Sequence, residues 1–199
     1  MHHFSFPETY TSPDGTEFLV RPIAVSDRDA FCSFFGALPE RDRLFFQEDL
    51  SNTAQAERWV AGVEAGRTFA LIAVADDKIV GQVSLYRRLH GWTRLVGYIL
   101  VAVRPDFRGR GIAGYLVRRI VEIAVQMGLD KVVAETLTGQ RRERRILETH
   151  GFRKEAILRD HATDMRGNKH NVVLLSHNVY DLWRRQEDMI IDKEFEVIP

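Results

Sequence analysis

The stretch from Val101 to Met127 constrains the fold of this chain more than any other part of it. It reads VAVRPDFRGRGIAGYLVRRIVEIAVQM, a pattern that predicts a buried strand, a glycine-rich turn and a long amphipathic helix. The first N–H groups of a helix have no partner within the helix, and the helix dipole is positive at that end. A turn of this kind therefore favours the binding of a phosphate or pyrophosphate group.

The residues on either side of this stretch predict a mixed sheet with flanking helices. An antiparallel meander leads into it, because turn signals separate three apolar runs between Phe69 and Val103. The strand–helix–strand unit that follows should be parallel and right-handed. The predicted strands are Phe6–Tyr10, Glu17–Ile23, Phe69–Val74, Ile79–Leu89, Arg94–Val103, Lys131–Glu135, Phe152–His161 and His170–Val179. The predicted helices begin at an N-cap Ser26, at Pro39 and at Thr53, and cover 112–127 and about Arg141–Thr149.

A length of 199 residues suits one domain, or one domain with an appended segment. We expect a single domain over residues 1–199, with a core from about 17 to 180 and a C-terminal tail from 181 to 199. The tail is long enough to cover a sheet edge or to join a homodimer, and the sequence leaves both alternatives open. Its apolar residues are Ile190, Ile191, Phe195, Val197 and Ile198.

Charge and hydropathy narrow the class of protein. The 28 Lys and Arg residues balance the 28 Asp and Glu residues, so no global field favours nucleic acid or a membrane surface. No apolar run approaches the roughly 20 residues that span a bilayer, and the N-terminus lacks the pattern of a signal peptide. The single Cys32 excludes an internal disulfide framework, and no residues have metal-ligand spacing. We therefore expect a cytoplasmic protein without a metal site.

The glycines of the turn match a second kind of phosphate-binding site. Gly109, Gly111 and Gly114 fit the G-x-G-x-x-G of dinucleotide-binding folds, and Glu135 follows the next strand at about the expected distance. In those folds the glycine turn comes almost directly after its strand, whereas the five residues 104–108 intervene here. The preceding antiparallel meander is also unlike a doubly wound sheet. The dinucleotide-binding fold is therefore the weaker alternative, and a P-loop is excluded because no Gly-Lys-Ser/Thr follows the glycines.

The same turn carries the pattern V-x-P-x-x-R-G-x-G-I-A, which resembles the acetyl-CoA signature of the GNAT acetyltransferase superfamily. The matching residues are Val103, Pro105, Arg108, Gly109, Arg110, Gly111, Ile112 and Ala113. The resemblance extends in order from about Phe18 to Val179 and includes the Gly151-Phe152 pair before a late strand. It implies a GNAT fold of the α/β (α+β) class, with a mixed six- to seven-stranded sheet and a central strand–helix–strand unit.

The resemblance also implies where acetyl-CoA (CoA) would bind as a cosubstrate. In the superfamily, the pantetheine arm enters a gap between two splayed strands, here the strand that ends at Val103 and the next one along the chain. An amine would attack the acetyl carbonyl directly, with the N–H of Val101 stabilising the oxyanion. The two arginines of the turn would flank the pyrophosphate. The binding residues so implied are Val101, Ala102, Val103, Arg108, Gly109, Arg110, Gly111, Ile112 and Ala113.

The catalytic positions depart from the family pattern. Many relatives have a Tyr, the general acid, four residues before the Gly-Phe pair, where this chain has Leu147. Many relatives also have a Glu on the fourth strand that acts as the base. Tyr98 occupies the position that matches this Glu in bacterial protein lysine acetyltransferases, a group that the sequence resembles more loosely. The Asn that usually starts the next helix is Gln140. Tyr98, as acid or water-holder, and Glu135, as a base acting through water, are the candidate catalytic residues.

Two histidines, an arginine-rich run and the identity of the acceptor each allow more than one interpretation. His161 and His170 flank the final hairpin and are additional candidates for proton transfer. The run Arg141–Arg145 is either a solvated helix face, with Arg144 paired to Glu148, or a contact to the coenzyme's phosphates or to an acidic partner. We expect an N-acetyltransferase whose acceptor is a small amine, a peptide N-terminus or a protein lysine. The alternative is a non-catalytic acyl-CoA-binding regulatory module.

Overall fold

The structure, a computed structural model, describes residues 5–43 and 50–180 of the chain. Within these ranges, eight strands form one mixed sheet in the order β1-β2-β3-β4-β5-β6-β8-β7. The strands are β1 (Glu8–Thr11), β2 (Glu17–Pro22), β3 (Thr68–Ala75), β4 (Lys78–Arg87), β5 (Val96–Val103), β6 (Lys131–Leu137), β7 (Arg153–Thr163) and β8 (Lys169–Asn178). The helices are α1 (Arg28–Gly36), α2 (Glu40–Arg43), α3 (Thr53–Glu64), α4 (Ile112–Gln126) and α5 (Arg141–Thr149).

The mixed α/β fold is confirmed, and the sheet has more strands than the six or seven implied by the resemblance. The short strand β1 pairs with β2 as an N-terminal hairpin and belongs to the same sheet. The predicted N-cap Ser26 is wrong, because Val25–Asp27 forms a 3-10 turn and α1 begins after Asp27. The helix expected from Pro39 begins as α2. Its continuation and the tail at 181–199 lie outside the described residues.

The strands β5 and β6 run parallel, whereas the other neighbouring strands of the described sheet run antiparallel. Their pairing starts at Val96 and Lys131 and stops at Ile99 and Ala134. Both strands continue beyond this point, β5 to Val103 and β6 to Leu137. The two strands therefore diverge and leave a gap at their carboxyl ends, beside the start of α4. The antiparallel meander β3-β4-β5 is not the start of a doubly wound sheet, so the dinucleotide-binding alternative is wrong.

Hydrophobic cores cover both faces of the sheet. On one face, α4 packs against the strands along a buried stripe that consists of Ile112, Leu116, Ile120 and Ala124, with Met127 partly buried beside it. On the other face, α1 and α3 contribute Phe31, Phe34, Phe35 and Trp59. Each fully buried side chain of this size contributes about 1.5–3 kcal/mol. These layers fix α4, and with it the glycine turn, against the splayed strands. No helix in the described ranges is long and apolar enough to cross a membrane.

The 3-10 turn before α1 is held by a partly buried ion pair. The guanidinium of Arg21 donates to both carboxylate oxygens of Asp27, at 2.6 and 2.7 Å, and the backbone N–H of Ala24 donates to the same carboxylate at 2.8 Å. The hydrogen bonds from Arg21 hold the pKa of the Asp27 carboxyl below its ordinary value. Because the folded-state pKa lies below the unfolded one, this stabilisation is present above the unfolded pKa and is lost as the pH falls through the folded pKa.

Asp27→Asn is expected to lower the free energy of unfolding by about 1–2 kcal/mol at pH 7, since a hydrogen-bonded charge pair is lost. The difference from the wild type should shrink below about pH 4, where unfolded Asp is protonated. Urea unfolding at pH 7 and at about pH 3.5 measures both effects. Asp29→Asn is the matched control, because its pair with Arg28 (2.9 Å) is exposed and should contribute less than about 0.5 kcal/mol. Equal losses in the two variants would contradict the assignment.

Candidate functional site

A cleft of about 420 Å³ occupies the gap between β5 and β6. This volume lies within the range of small-molecule sites. Its walls are the divergent end of β5 (99–103), the turn and first residues of α4, the end of β6 (134–136) and one side of α5. Beyond Ile99, no strand of the described residues lies alongside the edge of β5 that faces the cleft. Eight of the nine residues expected to bind the coenzyme line this cleft: Val101, Ala102, Val103, Arg108, Gly109, Gly111, Ile112 and Ala113.

The turn that enters α4 depends on two glycines in the left-handed backbone region. Gly109 has φ of 89° and Gly111, the N-cap of α4, has φ of 81°. A Cβ atom at Gly111 would clash with the phenol oxygen of Tyr10. That hydroxyl donates a hydrogen bond of 2.9 Å to the carbonyl of Arg110. The N-terminal hairpin thus supports the turn from behind, which leaves the helix N-terminus facing the cleft.

The two arginines of the turn point in different directions. Arg108 lines the cleft, where its Nε donates to the carbonyl of Val103 at 3.0 Å and its Nη2 forms an ion pair with Asp42 of α2. Arg110 is absent from the lining of the cleft. Its Nη1 donates to the hydroxyl of Thr16 at 3.1 Å, and its guanidinium lies 5.2 Å from the ring centre of Phe107. The side chain of Arg110 is therefore part of the hairpin contact, and of the two arginines in the turn Arg108 is the one that brings charge to the cleft.

The arginine run at the start of α5 divides between two faces of the helix. Arg142 and Arg145 line the cleft, and Nη2 of Arg142 lies 3.5 Å from the Cβ position of Gly109. Arg144 lies outside the cleft lining, 3.8 Å from Glu148 as predicted, and also donates to a backbone carbonyl. Arg144 therefore pairs along the helix, whereas Arg142 and Arg145 face the cleft, where a contact with a ligand's phosphates stays a prediction. Arg142 reaches across the glycine turn.

At the inner end of the cleft, neighbouring residues of β6 point to opposite faces of the sheet. Thr136 shares the α4 face with the core residues Val132 and Ala134, whereas Glu135 points to the other face. Both residues line the cleft, so the cleft extends to side chains on both faces of the sheet. Glu135 is exposed, and Thr136 is only 3% exposed. Thr136 escaped the sequence analysis, although a hydroxyl at an inward position of the apolar strand KVVAETL was a signal that could have identified it.

The other proton-transfer candidates lie outside the cleft. Tyr98 is 40% exposed and pairs in register with Val133, so it shares the sheet face of Glu135, but it does not line the cleft. His161 and His170 are absent from the lining as well, and Nε2 of His170 lies 3.0 Å from a carboxylate oxygen of Asp164 in the final hairpin. The structure therefore brings only Glu135 of these candidates into the cleft.

Three more lining residues explain how α5 closes the site. Leu147 is buried at 3% exposure and presents no polar group where relatives have the acid. Gln140 accepts a hydrogen bond of 2.9 Å from the N–H of Leu137 and so closes the turn between β6 and α5. His150 packs against α4 so closely that a Cβ at Gly114 would lie 3.0 Å from its Cε1. A side chain at Gly114 would therefore require the His150 ring to shift by a few tenths of an ångström.

The comparisons with known proteins agree with this geometry. The sequence profile of the Acetyltransferase (GNAT) family matches residues 28–152, more than half of the chain. The relative "Probable N-acetyltransferase YjcK" of Bacillus subtilis (strain 168) is 27% identical over 161 residues, which cover 73% of this chain and 85% of that protein. "N-alpha-acetyltransferase 30" of Schizosaccharomyces pombe is 28% identical over 107 residues, which cover 53% of this chain and 71% of the relative.

Solved structures share the fold at lower sequence identity. The structure of yncA from Salmonella typhimurium, with its cofactor acetyl-CoA, superposes with a TM-score of 0.71 at 16% identity, covering 81% of this chain and 94% of that one. A ribosomal-protein-alanine N-acetyltransferase from Brucella melitensis gives a TM-score of 0.72 at 18% identity, covering 80% and 99%. At these identities the similarity shows the fold alone. The profile match over more than half of its length shows that the chain belongs to the acetyltransferase (GNAT) family.

Proposed function

We propose that this protein transfers an acetyl group from acetyl-CoA to a primary amine. The observation that supports it most strongly is the single cleft in which an unpaired strand edge, a glycine-rich helix start and arginine side chains meet. A primary amine, as a small molecule, a peptide N-terminus or a protein lysine, would reach the cleft from the sheet face of Glu135. We propose one acetyltransferase domain over residues 1–199, located in the cytoplasm and acting without a metal. The proposal includes a homodimer formed through the C-terminal tail, residues 181–199.

The residues of the cleft suit the chemical parts of the coenzyme. The edge of β5 from Val101 to Val103 offers backbone groups to the pantetheine amides, although the Val103 carbonyl already accepts from Arg108. The free N–H groups at the start of α4 and the positive helix end suit a pyrophosphate. Arg108, Arg142 and Arg145 add positive charge beside them. Arginine pairs with phosphate in a bidentate geometry. The bound coenzyme would supply an activated thioester carbonyl.

The remaining groups of the cleft suggest how the chain would assist acetyl transfer. An ammonium ion is not a nucleophile, so a base must remove a proton from the acceptor. Asp42, Glu143 and His150 also line the cleft, but Glu135 is the carboxylate on β6 at the inner end of the cleft, where it is exposed. It would act as the base directly or through a water molecule. The N–H of Val101 would stabilise the charge that develops on the carbonyl oxygen. Leu147 offers no acid, so the sulfur must be stabilised by another group.

Thermal unfolding with candidate ligands tests the binding half of this proposal. CoA and acetyl-CoA are expected to raise the melting temperature of the purified protein in a concentration-dependent way, because a ligand that binds only the folded state stabilises it. NAD and NADH are the controls, since they carry a pyrophosphate but no pantetheine arm. Stabilisation by the dinucleotides alone, or by none of the four compounds, would contradict the proposal.

Arg142→Ala is expected to weaken CoA binding by about tenfold or more, the effect of losing one charged hydrogen bond to a phosphate. Arg144→Ala is the matched control, because it removes the same side chain from the same helix but outside the cleft. Its affinity for CoA should stay within about twofold, since Arg144 does not line the cleft. Isothermal titration of both variants with CoA measures the difference. Equal weakening in both would show that only the overall charge of α5 matters.

A further inference from the structure

The hydroxyl of Thr136 is the polar group of the cleft that the protein itself does not use. Thr136 is 97% buried, and its Oγ1 has no hydrogen-bond partner among residues 5–43 and 50–180. Buried hydroxyl groups are nearly always hydrogen-bonded, because leaving one without a partner costs stability. The same residue lines the cleft. A buried hydroxyl that has no partner and lies at a ligand cleft points to a partner on the ligand.

The position of Thr136 relates it to one part of the coenzyme. The paired register of β5 and β6 ends at Ile99 and Ala134, and two residues further on Thr136 is opposite Val101 across the gap. Val101 is the residue whose backbone is proposed to stabilise the reacting carbonyl. Thr136 therefore lies at the inner end of the cleft, where the thioester would be, and not at the outer end formed by the glycine turn and the arginines.

The lining around Thr136 is mainly apolar. The polar lining residues Gln140 and His150 each form a hydrogen bond within the protein, with the N–H of Leu137 and with the carbonyl of Ile146. The neighbouring lining residues Ile99, Ala134, Ile146 and Leu147 are apolar. The carboxylate of Glu135 lies on the opposite sheet face and only accepts hydrogen bonds when ionised. Thr149 is the other lining residue with a hydroxyl, but its side chain is exposed and donates to the carbonyl of Arg145 at 2.8 Å.

We propose that the Thr136 hydroxyl donates a hydrogen bond to the coenzyme's sulfur, an inference that rests on the proposed acetyl transfer. In that reaction the amine nitrogen bonds to the carbonyl carbon, and the C–S bond breaks with both electrons going to sulfur. The proton lost by the amine passes to the carboxylate of Glu135, directly or through a water molecule. Thr136 keeps its own proton and stabilises the negative charge on sulfur through the hydrogen bond. It thereby supplies the stabilisation that Leu147 cannot.

Binding of two ligands that differ only in the sulfur tests this contact without any turnover. CoA carries the sulfur, and desulfo-CoA lacks it. The wild-type protein should bind CoA about fivefold more tightly than desulfo-CoA, the factor expected for one hydrogen bond to an uncharged thiol. In Thr136→Val, which has the same shape without the hydroxyl, this difference should disappear, with desulfo-CoA affinity unchanged. In Thr136→Ser, which keeps the hydroxyl, it should persist.

The possible results separate this proposal from the proposed function. If the wild type binds CoA and desulfo-CoA equally, or if Thr136→Val weakens both ligands by the same factor, the sulfur contact is wrong while coenzyme binding stands. If the wild type binds neither ligand, the proposed function fails. The wild-type comparison alone can overturn the proposal, so it stays testable even if Thr136→Val does not fold.

Two further readouts distinguish a contact to sulfur from a structural role. Without ligand, Thr136→Val should melt at a temperature no lower than the wild type, because it removes a buried hydroxyl that has no partner. With acetyl-CoA and a reactive amine, its kcat should fall about tenfold while KM for acetyl-CoA changes less than about twofold, since the charge on sulfur develops only during the reaction. A lower melting temperature with unchanged kcat would mean that Thr136 only packs.

Discussion

Gly111→Ala is expected to lower the free energy of unfolding by about 2–4 kcal/mol and to abolish measurable CoA binding. A residue with a Cβ costs about 1–2 kcal/mol in the left-handed backbone conformation that Gly111 adopts at φ of 81°. The added Cβ would also clash with the phenol oxygen of Tyr10 and displace the hydroxyl from the Arg110 carbonyl. Both effects distort the turn at the start of α4. Urea unfolding measures the loss of stability, and isothermal titration with CoA measures the loss of binding.

Two companion variants separate strain from steric clash. Gly128→Ala is the control for strain alone, because Gly128 has φ of 69° and nothing within 4 Å of its Cβ position; it should lose about 1–2 kcal/mol. Tyr10→Phe removes the clashing oxygen. In the double variant, which combines Tyr10→Phe with Gly111→Ala, the nearest remaining atom of residue 10 is Cζ, 3.4 Å from the added Cβ. The double variant should therefore be less destabilised than the sum of the two single variants. Strict additivity would show that Tyr10 does not restrict this position.

Glu135→Gln is expected to lower the turnover number by about a hundredfold or more, the usual effect of removing a general base. The amide has nearly the same shape as the carboxylate but does not take up a proton, so the affinity for CoA should stay within about twofold. Steady-state rates with acetyl-CoA and a primary amine, together with CoA titration, measure the two quantities.

The matched control for this variant is Glu155→Gln on β7. Glu155 is an exposed carboxylate of the same sheet that bonds to Lys131 and Ser176 and lies outside the cleft. Its turnover number should remain close to that of the wild type. If Glu135→Gln keeps full activity, the base lies elsewhere, and Tyr98 on the neighbouring strand becomes the residue to replace next.

The helices and strands of this fold could be predicted from the sequence wherever the residues of a single segment show a periodic pattern of apolar side chains or a clear end signal. The stripe of α4 follows from apolar residues at helical spacing, and Arg141–Thr149 coincides with α5. The end of α4 is marked by Gly128, which adopts a positive φ directly after the helix. The start of α1 was missed by one residue, because Ser26 and Asp27 both suit an N-cap. The contact with Arg21 decides between them, and a local pattern does not contain that contact.

The sequence was sufficient to predict that the glycine turn and the end of β5 lie together, whereas several other contacts of the cleft could not be predicted; the binding roles of these residues stay predictions. The turn from Arg108 to Ala113 is recognisable because its glycines and arginines are contiguous in sequence. The direction of Arg110 depends on Thr16, and the support behind Gly111 depends on Tyr10, residues about a hundred positions away. Periodicity does not encode such contacts. The buried hydroxyl of Thr136 was overlooked for a different reason, since threonine is an ordinary strand residue. Only the structure shows that this hydroxyl has no hydrogen-bond partner in the part of the chain that is described.

The most direct test of the central claim is acceptor-dependent thiol release from acetyl-CoA. The acceptors are a set of small primary amines, peptides with free N-termini, and lysine peptides with blocked N-termini, and mass spectrometry identifies the product. The proposed function predicts that at least one acceptor class accelerates thiol release and gains one acetyl group for each thiol released. If acetyl-CoA raises the melting temperature but no acceptor accelerates thiol release, the protein is a non-catalytic acyl-CoA-binding module and the claim is wrong.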